Sequence, residues 1–146
     1  MRKVLMVCHG NICRSVMAEY IFKYLIDKEG RQDEFFVDSA AVSREALGCS
    51  IYPDAKRILE KHHVPIGHHT ARQITKDDLE NFDEIYIMDQ SNLSLLKRRF
   101  PASLLYKVRF LDSKEEIEDP WYTGRFERVY EQIESSCREI LDSPTK

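Results

Sequence analysis

The stretch Lys3-Val4-Leu5-Met6-Val7-Cys8-His9-Gly10-Asn11-Ile12-Cys13-Arg14-Ser15 changes character twice. Residues 3–7 are apolar and β-prone after a single lysine, the pattern of a strand buried on both faces. From Ser15 onward Val16, Met17, Tyr20, Ile21, Tyr24 and Leu25 recur at helical spacing, and Gly30 is a natural C-terminal stop. The residues between them turn a strand end into a helix start. Such a turn aims backbone N–H groups at one point, and the helix dipole adds positive charge there. Gly10 and Asn11 are residue types that tolerate the left-handed backbone of a tight anion nest. Arg14 carries a planar fork suited to two phosphate oxygens. The residues separating Cys8 from Arg14 are enough to wrap one phosphate. In that positive field the Cys8 thiolate is favoured over the thiol, ready for in-line attack on phosphorus. Ser15 stands where its hydroxyl can stabilise the sulfur. A cysteine ending a buried strand is often merely packed. The strand before, the helix after and the Gly-Asn pair inside favour the phosphate cradle.

Outward from this loop, strand and helix patterns alternate. Phe35-Phe36-Val37 reads as a short strand ending at Asp38-Ser39. Pro53 suits a first helical position, with Ala55, Ile58, Leu59 and His62 on one face and Pro65 and Gly67 beyond the end. Thr75 to Asp78 matches a capping box ahead of Leu79 and Phe82. Ile85-Tyr86-Ile87-Met88 is another buried strand, and Asp89 caps a helix through Leu93 and Leu96 toward Phe100-Pro101. Leu104 to Leu111 holds a fourth strand. Phe126, Val129, Tyr130, Ile133, Cys137, Ile140 and Leu141 mark a final helix. The alternation predicts one α/β domain over residues 1–146, with a parallel sheet covered on both faces. Ligands in such sheets sit beyond the carboxyl ends of the strands, where Cys8 lies.

With 146 residues and a net charge of −3, the chain has the size of one domain and no basic excess for nucleic acid or membrane surface. No apolar run has the length of a membrane span. The apolar start stops at Cys8 with no cleavage-site pattern after it, which favours a buried strand over a secretory leader. Cys8, Cys13, Cys49 and Cys137 read as free thiols of a reducing, cytoplasmic compartment. Cys137 falls on an apolar helical stripe and reads as core. The pairs His62-His63 and His68-His69 fit no familiar zinc spacing, so no metal site is expected.

Val7-Cys8-His9-Gly10-Asn11-Ile12-Cys13-Arg14-Ser15 resembles the signature loop of the low-molecular-weight protein tyrosine phosphatases. The resemblance extends through Asp38-Ser39-Ala40, His69-Thr70-Ala71-Arg72-Gln73, Met88-Asp89-Gln90-Ser91-Asn92 and Asp119-Pro120-Trp121-Tyr122. It implies a four-stranded parallel twisted sheet with flanking helices, no metal and no cofactor. It implies hydrolysis of phosphotyrosine and small aryl phosphates through a phosphocysteine on Cys8, with Arg14 binding phosphate. His9, Gly10, Asn11, Ile12, Cys13 and Ser15 complete the loop. The implied partner is a phosphotyrosine protein, an autophosphorylated kinase among them, met by a monomer or weak dimer.

A departing aryl alkoxide needs a proton, and Asp119 is the best donor. Pro120 biases it away from helix, and Trp121 and Tyr122 offer flat faces for an aromatic leaving group. By resemblance Asp119 also activates water in the second step. On the residues alone, Glu115, Glu116, Glu118 and Asp119 are equally an ordinary solvated acidic cluster. The family places Ser39 and His69 behind Asn11. Read alone, Ser39 is a strand-end turn residue and His69 one of a histidine pair. Cys13 is placed to condense with an oxidised Cys8.

Three departures stand out. Val16 replaces a common Pro and predicts a looser helix start, His9 replaces an apolar residue, and Glu45 puts charge beside the cleft. The competing activities are arsenate reduction, phosphoarginine hydrolysis and non-catalytic phosphate binding. Against the first, residues 80–90 hold no resolving cysteine. Against the second, Ile12 stands where arginine phosphatases carry Thr. Against the third, Cys8, Arg14 and Asp119 are retained together.

Overall fold

The structure, a computed structural model, describes residues 1–144. Its four strands are β1 (Arg2–Cys8), β2 (Phe35–Ala41), β3 (Glu84–Ile87) and β4 (Val108–Phe110), all parallel and in the order β2-β1-β3-β4. The apolar run that opens the chain is an interior strand, bonded on both edges and covered on both faces. Val4, Met6 and Cys8 point into one core, and Leu5 and Val7 into another. This period-2 alternation gives a continuous apolar sequence when each face has its own cover.

The first cover is α1 (Arg14–Lys28) and α6 (Phe126–Asp142), with α2 (Pro53–Lys61) beside them. The second is α3 (Lys76–Asn81) and α4 (Gln90–Arg99). Helix α1 is buried around most of its circumference between sheet and α6. Val16 is fully buried, and Met17 N donates to Cys13 O at 2.9 Å. The first turn of α1 is thus hydrogen-bonded and packed with Val16 in place of the common Pro. Gly30 sits at φ +66° just past the helix end, where Arg31 N closes on Ile26 O at 3.0 Å. Pro53 occupies the first turn of α2, and both expected caps, Thr75/Asp78 and Asp89/Asn92, are formed reciprocally.

One boundary differs from the sequence reading: β2 runs on through Ala40 and Ala41, past the expected end at Asp38-Ser39. The fourth strand, Val108–Phe110, lies inside the expected stretch and follows a 3₁₀ turn at Ala102–Leu104 behind Pro101. Pro120–Thr123 forms a one-turn helix, α5, unread in the sequence; Asp119 stays outside it in extended backbone as its cap, and Gly124 ends it at φ +74°.

At the sheet's amino end Arg2 grips Glu84 bidentately at 2.8 and 2.9 Å, and Tyr86 Oη donates to Glu84 at 2.7 Å. Arg2 also reaches Ser143 O at 3.0 Å, so it ties the two central strands to the end of α6. Among the described residues no helix is long and apolar enough to cross a membrane.

Candidate active site

β1 delivers Cys8, 3 % exposed, to the carboxyl edge of the sheet, and α1 starts at Arg14. Between them Asn11 is fully buried at φ 59°, a left-handed conformation held by its surroundings. Its backbone N lies 3.4 Å from Cys8 Sγ. Its Nδ2 donates to Ser15 Oγ at 2.8 Å and to Ser39 Oγ at 3.0 Å. Its Oδ1 accepts from Arg72 N at 3.2 Å, and its carbonyl faces His69 Nε2 at 2.7 Å. Ser39 and His69 thus both contact Asn11. Gly10 does not share the left-handed backbone expected of the Gly-Asn pair; a Cβ there would lie 3.7 Å from Ala46 Cβ.

This network has a direction. Ser39 Oγ accepts from Asn11 and donates to Glu19 Oε1 at 2.5 Å, and Lys23 Nζ holds the other Glu19 oxygen at 2.6 Å. Ser15 Oγ likewise accepts from Asn11 and lies 3.1 Å from Cys8 Sγ, which donates to it as a thiol and accepts from it as a thiolate. The Ser15 hydroxyl and the Asn11 backbone N–H thus both lie against the sulfur.

Arg14 is 2 % exposed and fixed from behind. Its Nη1 donates to Asp89 Oδ2 at 2.6 Å and to Ile117 O at 2.8 Å, and its Nη2 lies 3.5 Å from Asp119 Oδ2. Burial works against its charge, but Cys8, Asp89 and Asp119 outweigh that and raise its pKa. Asp89 has two duties: Oδ1 caps α4 through Asn92 N at 2.9 Å while Oδ2 anchors Arg14.

Above Cys8 opens a cleft of about 210 Å³ lined by the loop, by Glu45 and Ala46, and by Asp119, Trp121 and Tyr122. Asp119 Oδ1 accepts from Trp121 N at 3.1 Å, so α5 orients the carboxylate. Trp121 and Tyr122 meet edge to face with ring centroids 4.8 Å apart, both exposed at the mouth. The acidic cluster is not uniformly solvated. Glu118 pairs with Arg125 and Arg128, Glu116 accepts from Gln90 N, and only Asp119 of the cluster lines the cleft. A larger groove of about 660 Å³ lies behind His69, between residues 50–60 and 64–69, and contains none of Cys8, Arg14 and Asp119.

The remaining cysteines and histidines separate. Cys13 is buried at the cleft floor, and burial with the nearby Cys8 pushes its thiol pKa up. Cys137 is core, its pKa raised chiefly by burial, and Cys49 is exposed. His62 stacks on Tyr130 with centroids 3.8 Å apart and meets Glu127 at 2.6 Å, while His68 contacts Thr70. Among the described residues no three His, Cys, Asp or Glu gather as a metal-holding group. Sequence reasoning missed the parts of the site that act through backbone or long reach: Arg72 N, Ile117 O, Glu19 and Lys23. The quoted similarity around Arg72 marked its segment without giving it a role.

The family model for low molecular weight phosphotyrosine protein phosphatase matches residues 3–146. The chain belongs to this family. It is 38 % identical to the low molecular weight phosphotyrosine protein phosphatase of Gallus gallus, over 98 % of this chain and 96 % of that protein. The crystal structure of YfkJ from Bacillus subtilis superposes with a TM-score of 0.91 at 35 % identity, covering 97 % of this chain and 92 % of the other. A Drosophila protein described as an arginine phosphatase superposes at 0.85 with 36 % identity, covering 97 % and 96 %. The low-molecular-weight phosphatase fold is therefore shared with relatives from bacteria and animals.

Proposed function

We propose that this member of the family hydrolyses phosphotyrosine in proteins, and small aryl phosphates, through a phosphocysteine on Cys8. The observation that carries this is the meeting of Cys8, Arg14 and Asp119 in one cleft with an aromatic mouth. The phosphate is held by the loop of residues 8–15 and by Arg14, whose plane is set by Asp89 and Ile117 O. Cys8 sulfur attacks phosphorus in line. The S–P bond forms as the P–O bond to the phenol breaks, and Asp119 gives its proton to the leaving oxygen. Asp119, now a carboxylate, takes a proton from water as that water attacks phosphorus. The S–P bond then breaks, freeing phosphate and the thiolate. Ser15 Oγ donates to the sulfur at the start and end of the cycle, when its charge is greatest. Trp121 and Tyr122 flank the phenyl ring of the substrate.

The natural partner on this reading is a phosphotyrosine protein, an autophosphorylated kinase among the candidates, and the compartment is the cytoplasm. Hydrolysis of phosphoarginine is the competing activity, since one relative is described as an arginine phosphatase. The aromatic mouth and Ile12 at the cleft favour the phenyl ester. A phosphotyrosine peptide, a phosphoarginine protein and thiol-dependent arsenate reduction, assayed side by side, test this. Turnover of the first alone is expected, and Cys8→Ser should abolish it while the protein stays folded. Preference for phosphoarginine, or substantial turnover by Cys8→Ser, would overturn the reading.

A further inference from the structure

The cleft has one wall whose charge the reaction does not use. Beyond β2 the chain keeps pairing alongside the catalytic loop: Val42 N donates to Cys8 O at 2.9 Å and Ser43 N to His9 O at 3.0 Å. It then turns, with Glu45 N on Ser43 Oγ at 3.3 Å, and Glu45 and Ala46 line the same cleft as Asp119, Trp121 and Tyr122. The Glu45 carboxylate is not left to wander. His9 Nε2 meets its Oε2 at 2.8 Å, although the Glu45 side chain is 75 % exposed and the His9 side chain only 36 %. A short ring on the catalytic loop thus holds a water-exposed carboxylate at the mouth.

The charges around this mouth are unequal in availability. Asp119 faces Arg14 across 3.5 Å, and Glu118 is taken by Arg125 and Arg128. Among the described residues, Glu45 is the exposed carboxylate of the lining with no arginine or lysine paired to it. A phosphotyrosine seated with its phosphate at Cys8 projects its peptide past this wall. A lysine or arginine near the phosphotyrosine then meets a fixed carboxylate, and an acidic residue there meets repulsion.

We infer that Glu45, positioned by His9, makes the enzyme select phosphotyrosine flanked by basic residues and reject acidic flanks. This rests on the phosphotyrosine reading above and adds to it a charge rule for the substrate sequence. Single rim charges are modest and screened by salt, so the discrimination expected at low ionic strength is about three- to tenfold in kcat/KM.

The test compares phosphotyrosine peptides of one backbone with Lys or Glu on either side of the phosphotyrosine, at low and high salt, against a small aryl phosphate. The parent should prefer the Lys peptides, with the preference shrinking at high salt. Glu45→Gln removes the charge while its amide still bonds His9, and should bring the two peptide sets together. Glu45→Lys should invert the order. Both variants should hydrolyse the small aryl phosphate within about twofold of the parent, since that substrate carries no flanking residues to meet a rim charge. An unchanged peptide ranking in Glu45→Gln, with aryl phosphate still turned over, overturns the inference alone. Failure of the parent on both phosphotyrosine peptide and aryl phosphate overturns the underlying reading instead.

Discussion

Asn11 holds a left-handed backbone that costs free energy, about 1–3 kcal/mol for a non-glycine residue, and its hydrogen bonds to Ser15, Ser39, Arg72 and His69 offset that cost. Asn11→Ala should therefore lower kcat far more than it raises KM, because the phosphate still meets Arg14 while the loop around Cys8 loosens. Steady-state kinetics with an aryl phosphate, alongside a melting curve, checks this; a pure KM effect would place Asn11 in binding alone. Asp119 takes its orientation from Trp121 N and faces Arg14, a geometry suited to a proton donor at the leaving oxygen. Asp119→Ala should cost about 10²–10⁴ in rate, most for poor leaving groups. Equal losses across a leaving-group series would contradict proton donation. Cys13 lies on the same loop and cleft floor as Cys8. Mild peroxide should convert Cys8 to a sulfenic acid that condenses with the Cys13 thiol, releasing water, and added thiol should restore activity. Cys13→Ser should recover less fully, and equal recovery would remove the protective role.

At the scale of elements, helix α3 shows how a local signal and a distant contact share one residue. Asp78 closes the capping box with Thr75 and also takes both prongs of Arg72, at 2.8 and 3.1 Å. Burial pulls the Asp78 pKa upward, but the bonds from Arg72 and Thr75 outweigh it and hold the pKa below its ordinary value. A carboxyl depressed in the folded state stabilises above its unfolded pKa and loses that contribution as pH falls through its folded one. Asp78→Asn should thus be less stable than the parent at neutral pH, with the gap narrowing in acid; chemical denaturation across that range reads it. The capping box was legible because its partners lie three residues apart. The strap from Arg72 to Asn11 was not, because it joins a backbone N–H to a side chain 61 residues away. β1 and α1 were legible from apolar periodicity, whereas β4 could be placed only somewhere within residues 104–111, because a three-residue edge strand has little apolar patterning to mark where pairing begins. Helix α5 escaped for a related reason: a single turn after Asp-Pro has no period to read.

Across the whole molecule, the carboxyl edge of the sheet gathers β1's Cys8, Asp89 after β3 and Asp119 after β4, while the amino edge is closed by Arg2. That arginine and Glu84 are each about 7 % exposed in their side chains. Removing the counter-charge of a buried acid is costly, so Arg2→Ala should lose about 3–5 kcal/mol of stability. The loss should appear in denaturant midpoint with little change in KM, since the site lies at the other end of the strands. The fold class was legible in the alternation of apolar runs and helical stripes, and Cys8, Arg14 and Asp119 in the similarity of their segments. The Arg14 anchor on Ile117 O was not, since any residue supplies a carbonyl. All of this geometry converges on one covalent event at one sulfur. Rapid acid quench of the enzyme during turnover of an aryl phosphate, followed by mass analysis of its peptides, tests that event. A phosphoryl group on the peptide bearing Cys8, formed in a burst of about one equivalent and absent in Cys8→Ser, is the predicted result. Full turnover with no phosphorylated Cys8 peptide at any quench time would contradict it.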